Sequence, residues 1–337
     1  MVLHDLLLGF AIGDAFGAGV EFQDRRWIAA NLDFRSFINA RDRIPQTQVA
    51  PELFTEHYRP WDYTDDTEML LGVIRALCSG QSPDPEVIYA GIAAEYADGV
   101  KHKGYGRNGH GSLRWVFSGE KSLAEVRQFQ ATRPHPGNGA AVRAVPLGLL
   151  PPGQITAWAL ANANATHPHP KAHVSSLAIA WASFYLLSLR GEPAGLIDFC
   201  REKVLGINGA SDRLLERVAS LPAPDDLAPS DYAVLCGPQP IPAPFFPVGI
   251  YGLPSDAMHT TGSLLYLLAH ARTAFGALQM AVRIGGDVDS LAAVATGIWA
   301  ARAGIGSLPA YMRTSVEGQE HLRKVAEQWE IWRDRQT

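Results

Sequence analysis

The stretch TDDTEMLLGVIRALCSG, residues 64–80, reads as a helix with a marked start and stop. Thr64 is a good N-cap, because its hydroxyl oxygen accepts from a backbone N–H that the first turn leaves unpaired. Asp65 and Asp66 suit the positive end of the helix, and Gly80 suits its stop. The residues between are strongly apolar, so the helix is expected to cross the centre of the protein. Its first turn then carries two carboxylates and a hydroxyl inward.

A second stretch repeats this arrangement. GGDVDS, residues 285–290, places Asp287, Asp289 and Ser290 at the mouth of another apolar helix, LAAVATGIWA. Each cluster alone has an ordinary explanation, since Thr64 or Ser290 can cap and the acids can answer the helix end. Brought together unpaired, the four carboxylates would repel and raise one another's pKa. Two divalent cations would balance them. The donors are all hard oxygens, which suits magnesium, or manganese, better than zinc. There is no HExxH motif, and His167-Pro168-His169 lacks the i,i+4 spacing of a helical zinc site.

Working outward, most of the chain has helical period. MVLHDLLLGFAIGDAFGAGVEF at residues 1–22 is apolar but interrupted by Asp5 and Asp14, with no basic leader. It reads as a buried helix rather than a signal peptide. Each glycine in it costs about 1 kcal/mol of helix stability, which implies close packing or a nearby ligand. Further helices are expected at 84–98, 120–131, 139–150, 154–165, 171–190, 193–205, 211–219, 260–273, 275–282, 288–302 and 316–332. Asn31–Pro60 reads as a long surface loop. The proline-rich segment Asp226–Gly249 cannot be one helix and reads as a crossing segment or loop with a short strand or turn. Acidic clusters lie on both sides of it, which favours one domain over residues 1–337.

Composition narrows the classes. The chain has 337 residues, 47% hydrophobic and 19% charged, which excludes a disordered chain and allows a large core. Lys+Arg number 29 against 34 Asp+Glu, so no broad basic field favours nucleic acid. Cys78, Cys200 and Cys236 offer no disulfide framework, and a cytoplasmic location is expected. No uniformly apolar run reaches the roughly 20 residues of a membrane span.

Two glycine-rich stretches form a second layer. Lys103–Gly111 contains Gly104, Tyr105 and Gly106; the other is Gly137-Asn138-Gly139. Backbone N–H groups in either could receive phosphate oxygens. Neither is a Walker loop or a dinucleotide fingerprint. Tyr105 could stack on a base or seal its loop.

Taken in order, these residues resemble the ADP-ribosylglycohydrolase family, which includes dinitrogenase reductase-activating glycohydrolases and ADP-ribosyl-acceptor hydrolases. The resemblance runs from GFAIGDAFG at 9–17 and Glu21 through Thr64–Thr67, Gly104–Gly106, Gly137–Arg143 with Pro146, and Thr166-His167. It continues through Thr261–Leu264 to Gly285–Ser290. The ordered set, spanning about residues 6–300, is specific although each member is weak.

The resemblance implies an all-α fold, a compact orthogonal multi-helix bundle with a central dinuclear metal cleft. It assigns Thr64, Asp65, Asp66, Asp287, Asp289 and Ser290 to two divalent cations, magnesium first and manganese second. Ser290 stands where the family usually has threonine in GGDTDT, and keeps the oxygen. Glu21 matches a glutamate beside the metals and is the candidate for water positioning or proton transfer. Gly104, Tyr105, Gly106, Asn138, Gly139 and His167 match the ADP-ribose site.

One departure bears on the acceptor. Members of the bacterial activating type carry an acid near the glycine-rich substrate loop, whereas residues 107–111 contain none; Asp98, earlier in the chain, is the candidate substitute. This weakens an arginine linkage and leaves serine, O-acetyl and other conjugates open. The expected reaction is metal-dependent hydrolysis at the anomeric carbon of an ADP-ribosylated protein or small molecule. The alternatives are a catalytically weak ADP-ribose-binding regulator and a different dinuclear-metal phosphate or nucleotide hydrolase. Acceptor, physiological metal and oligomeric state stay open, a monomer being compatible.

Overall fold

The computed structural model describes residues 2–39, 59–99, 112–243 and 246–335. The first described segments form α1 (Val2–Ala18), α2 (Arg25–Asn31), α3 (Asp65–Cys78) and α4 (Pro85–Asp98). Thr64 caps α3 as expected, accepting from the Asp66 N–H at 3.1 Å. Gly80 follows the end of α3 with φ +73, a conformation glycine adopts without a Cβ clash. Next come α5 (Ser112–Phe117), α6 (Leu123–Thr132) and α7 (Gly139–Val142). Ser122 and Glu125 form a reciprocal capping box at the start of α6.

The helix expected at 139–150 is broken. After α7 the chain tightens into a 3-10 turn, Val145–Leu149, where Pro146 removes a backbone donor. Then follow α8 (Pro152–Thr166), α9 (Pro170–Ser183), α10 (Leu196–Val204), α11 (Gly209–Ala219) and α12 (Tyr232–Cys236). The proline-rich segment ends in an antiparallel pair, β1 (Ile241–Ala243) and β2 (Phe246–Ile250), with Ile241 opposite Ile250. Last are α13 (Ala257–His270), α14 (Ala274–Arg283), α15 (Val288–Ala303), α16 (Ala310–Ser315) and α17 (Gln319–Asp334). The architecture is an all-α bundle carrying one small hairpin among the described residues.

The glycines of α1 explain its packing. Gly9, Gly13 and Gly17 recur at i, i+4 and i+8, so they share one face. A Cβ added to them would lie 2.4 Å from Ala300 Cβ, 2.1 Å from Ala292 O and 2.5 Å from Asp289 Cα, respectively. The α1 backbone therefore lies directly against α15, and α15 begins with the second acidic cluster. One contiguous apolar core runs from Leu3 to Trp329.

The expected surface loop after Asn31 needs correction where it is described. Phe34 is buried and stacks on Phe16 with ring centroids 5.7 Å apart; Trp61 packs on the same ring at 5.9 Å. Aromatic burial, worth about 1.5–3 kcal/mol per side chain, outweighs the polarity of the flanking residues. Among the described residues, no helix is long and apolar enough to cross a membrane.

Candidate active site

The second acidic cluster sits on an unusual backbone. Gly285 and Gly286 have φ +74 and +79, and a Cβ on Gly286 would lie 2.2 Å from Leu253 O. The pair threads between two neighbouring segments. Phe22 donates its N–H to Gly286 O at 2.7 Å, and Gly286 donates back to Gln23 O at 3.0 Å. On the other side Leu253 donates to Gly285 O at 2.8 Å, and Asp287 donates to Leu253 O at 3.0 Å. This lacing sets Glu21 beside Asp287. One carboxylate oxygen from each of Glu21, Asp287 and Asp289 lies within 4.8 Å of the others.

The first cluster meets the second here. Ser290 donates its hydroxyl hydrogen to Asp66 Oδ2 at 2.8 Å. Asn138 Nδ2 donates to Asp287 Oδ2 at 2.8 Å and lies 3.2 Å from Ser290 Oγ and 3.3 Å from Thr260 Oγ1. Asp287 occupies the N-cap position of α15 but makes no side-chain cap bond, so ordinary capping does not account for it. Burial pushes the Asp66 carboxyl well above the usual range, and Asp289, Asp65, Asp14 and Asp287 add to the shift. Burial also raises Asp287, with Glu21 adding charge repulsion against hydrogen bonds that lower it.

A supporting acid lies beneath α3. Asp14 Oδ2 accepts from the Thr64 N–H and Thr67 N–H, both at 3.0 Å, and from the Thr67 hydroxyl at 2.6 Å. Burial raises its pKa, while these groups pull the other way. An acid inside an apolar helix was the available signal. The sequence marks Asp14 as an interruption of the apolar stretch and a member of the 9–17 motif, without showing its partners.

These acids form one end of a cleft of about 780 Å³. Asp65, Asp66, Glu21, Asp287, Asp289, Ser290, Asn138, Gly139 and His167 line it. Thr64 does not: it is fully buried behind the lining, and its oxygen caps α3. Gly104, Tyr105 and Gly106 lie outside the described residues. Asp98 pairs with Arg75 at 2.7 Å at the end of α4 and is not part of the cleft lining.

The cleft lining also carries groups that the motifs do not single out. Asp256 caps α13 by accepting from the N–H groups of Met258 and His259, both at 2.9 Å. Its other oxygen lies 2.5 Å from His259 Nδ1. Burial pushes Asp256 up, but the His259 bond and charge outweigh it and hold the acid below its usual range. Arg133 and His135 line the same cleft. An Asp-x-x-His spacing at a helix start was the legible clue.

The donor set fits divalent metal. It is crowded, oxygen-only and acidic, and the mutual repulsion at Asp66 is what a bound cation would relieve.

Fold and cleft together define an all-α protein with an acid-floored, metal-compatible site. The chain belongs to the ADP-ribosylglycohydrolase family, whose pattern matches residues 3–337. It is 29% identical over 201 residues to the ADP-ribosyl-[dinitrogen reductase] glycohydrolase of Rhodospirillum rubrum. That match covers 58% of this chain and 60% of the relative, less than two thirds of its length. A solved structure described as an ADP-ribosylglycohydrolase-related protein complex superposes with TM-score 0.63 at 21% identity. It covers 98% of this chain and 97% of its own, and shares the fold.

Proposed function

We propose that this protein hydrolyses the glycosidic bond at the anomeric carbon of an ADP-ribosyl conjugate, releasing ADP-ribose from a protein or small molecule. The observation that carries this reading is the convergence of Asp66 with Asp287, Asp289 and Glu21 at one end of a large cleft. The family membership supports the same reading. Two bound divalent cations, magnesium or manganese, would orient ribose oxygens and stabilise charge in an oxocarbenium-like transition state.

The chain's own residues have separable tasks. Asp65, Asp66, Asp287 and Asp289 would hold the cations, with Ser290 adding a neutral oxygen. Thr64 would cap α3 with one lone pair of its hydroxyl oxygen and offer the other to a cation. Asn138 donates to one Asp287 oxygen and so helps fix the direction of that carboxylate. Glu21 would orient the attacking water and accept its proton. Gly139 and His167, with Gly104, Tyr105 and Gly106, would receive the ADP-ribosyl unit.

The test is a panel of arginine-, serine- and acetyl-linked ADP-ribose incubated with the protein and magnesium or manganese. Release from at least one conjugate, abolished by EDTA, is expected. Tight ADP-ribose binding with no release from any conjugate would instead favour a regulatory binding protein.

A further inference from the structure

His167 stands at the end of a buried hydrogen-bond chain whose protons can be counted. Arg143 is fully buried. It donates through Nε to Asn162 Oδ1 at 2.7 Å and through Nη2 to Asn162 O at 2.9 Å. Asn162 is oriented in turn: its Nδ2 donates to Ala140 O at 2.8 Å and to Ser176 Oγ at 2.9 Å. Arg143 Nη2 also donates to Thr166 Oγ1 at 2.7 Å, and that oxygen lies 2.6 Å from His167 Nδ1.

Thr166 is fully buried and its hydroxyl has one hydrogen to place. Among the described residues His167 Nδ1 is the one acceptor in reach. A proton on Nδ1 would turn that contact into a donation to the threonine oxygen and leave the threonine hydrogen unpaired, which costs about 1–3 kcal/mol. The hydroxyl therefore donates to Nδ1, and a neutral ring carries its proton on Nε2.

Nε2 faces the glycine wall of the cleft. Gly137 and His167 both line the cleft, and a Cβ added to Gly137 would lie 2.9 Å from His167 Nε2, so glycine leaves room beside that nitrogen. Burial, with the Arg143 and Arg133 charges, holds the imidazole pKa well below its ordinary range.

We infer that Thr166 and Arg143 are positioning residues that lock His167 as a neutral Nε2–H donor toward the cleft. Its ligand is an oxygen acceptor on the bound ADP-ribosyl unit, which rests on the function proposed above. His167 then acts as a hydrogen-bond donor and does not shuttle protons at neutral pH.

Two readouts test this. The ligand-free full chain, labelled with 15N-histidine, is examined by correlating ring nitrogens with ring protons, with His167→Gln assigning the signal. A neutral ring protonated on Nε2 from pH 6 to 8 is expected; an imidazolium, or a proton on Nδ1, would overturn the inference whatever the protein's substrate. Calorimetry with ADP-ribose and magnesium then compares variants. Thr166→Val is expected to weaken binding about tenfold, one hydrogen bond's worth, and Thr166→Ser to restore it. Equal loss in both would overturn the relay. Failure of the native protein to bind ADP-ribose would count against the proposed function and leave the tautomer assignment standing.

Discussion

Ser290 Oγ and Asp66 Oδ2 are 2.8 Å apart, although 224 positions separate these residues in the chain. The bond joins the first turns of α3 and α15, so the two acidic motifs become one site. Ser290→Ala removes a hydroxyl donor to a carboxylate, an interaction worth about 1.5–3 kcal/mol. Initial rates of ADP-ribose release are expected to fall at least about tenfold, with Ser290→Thr retaining most activity.

Gly17 controls the same site from outside it. A methyl there would lie 2.5 Å from Asp289 Cα, a backbone atom that cannot swing away. Gly17→Ala is expected to destabilise the fold by about 1–3 kcal/mol in urea titration. Gly153, in α8, meets nothing within 4 Å. Gly153→Ala is therefore expected to be neutral, or to stabilise by up to about 1 kcal/mol.

Asp14 is the anchor of α3. Replacing it with alanine strips the acceptor from Thr64 N–H, Thr67 N–H and the Thr67 hydroxyl at once. Each buried unsatisfied donor costs about 1–3 kcal/mol, so Asp14→Ala is expected to lower the thermal midpoint sharply. Asp14→Asn keeps an acceptor oxygen and is expected to recover part of the loss.

Away from the cleft, His321 on α17 lies 2.5 Å from Glu95 on α4. The Glu95 bond raises the histidine pKa above 6.5. A raised folded pKa stabilises fully below the unfolded value of about 6.5, and the gain disappears as pH rises through the folded value. With His321 about half exposed, His321→Ala should cost under about 1 kcal/mol, more at pH 6 than at pH 9 in parallel melts.

The helical plan was readable because caps and apolar period are local properties. Thr64, Asp65–Cys78 and Gly80 appear where their chemistry requires. Phe34 was hidden by polar neighbours, since only tertiary contact with Phe16 reveals its burial. The acids were legible as two separate motifs, and the family resemblance joined them. What the sequence could not show was direction: the Thr64 oxygen caps its own helix, Asp98 turns to Arg75, and Asp256 pairs with His259 at the start of α13.

The central claim is the bond that breaks. The most direct measurement is mass analysis of both products when the protein and magnesium act on an ADP-ribosylated peptide. Intact ADP-ribose and an unmodified peptide are expected. AMP with a phosphoribosyl group left on the peptide would place the cleavage at the diphosphate and contradict the account.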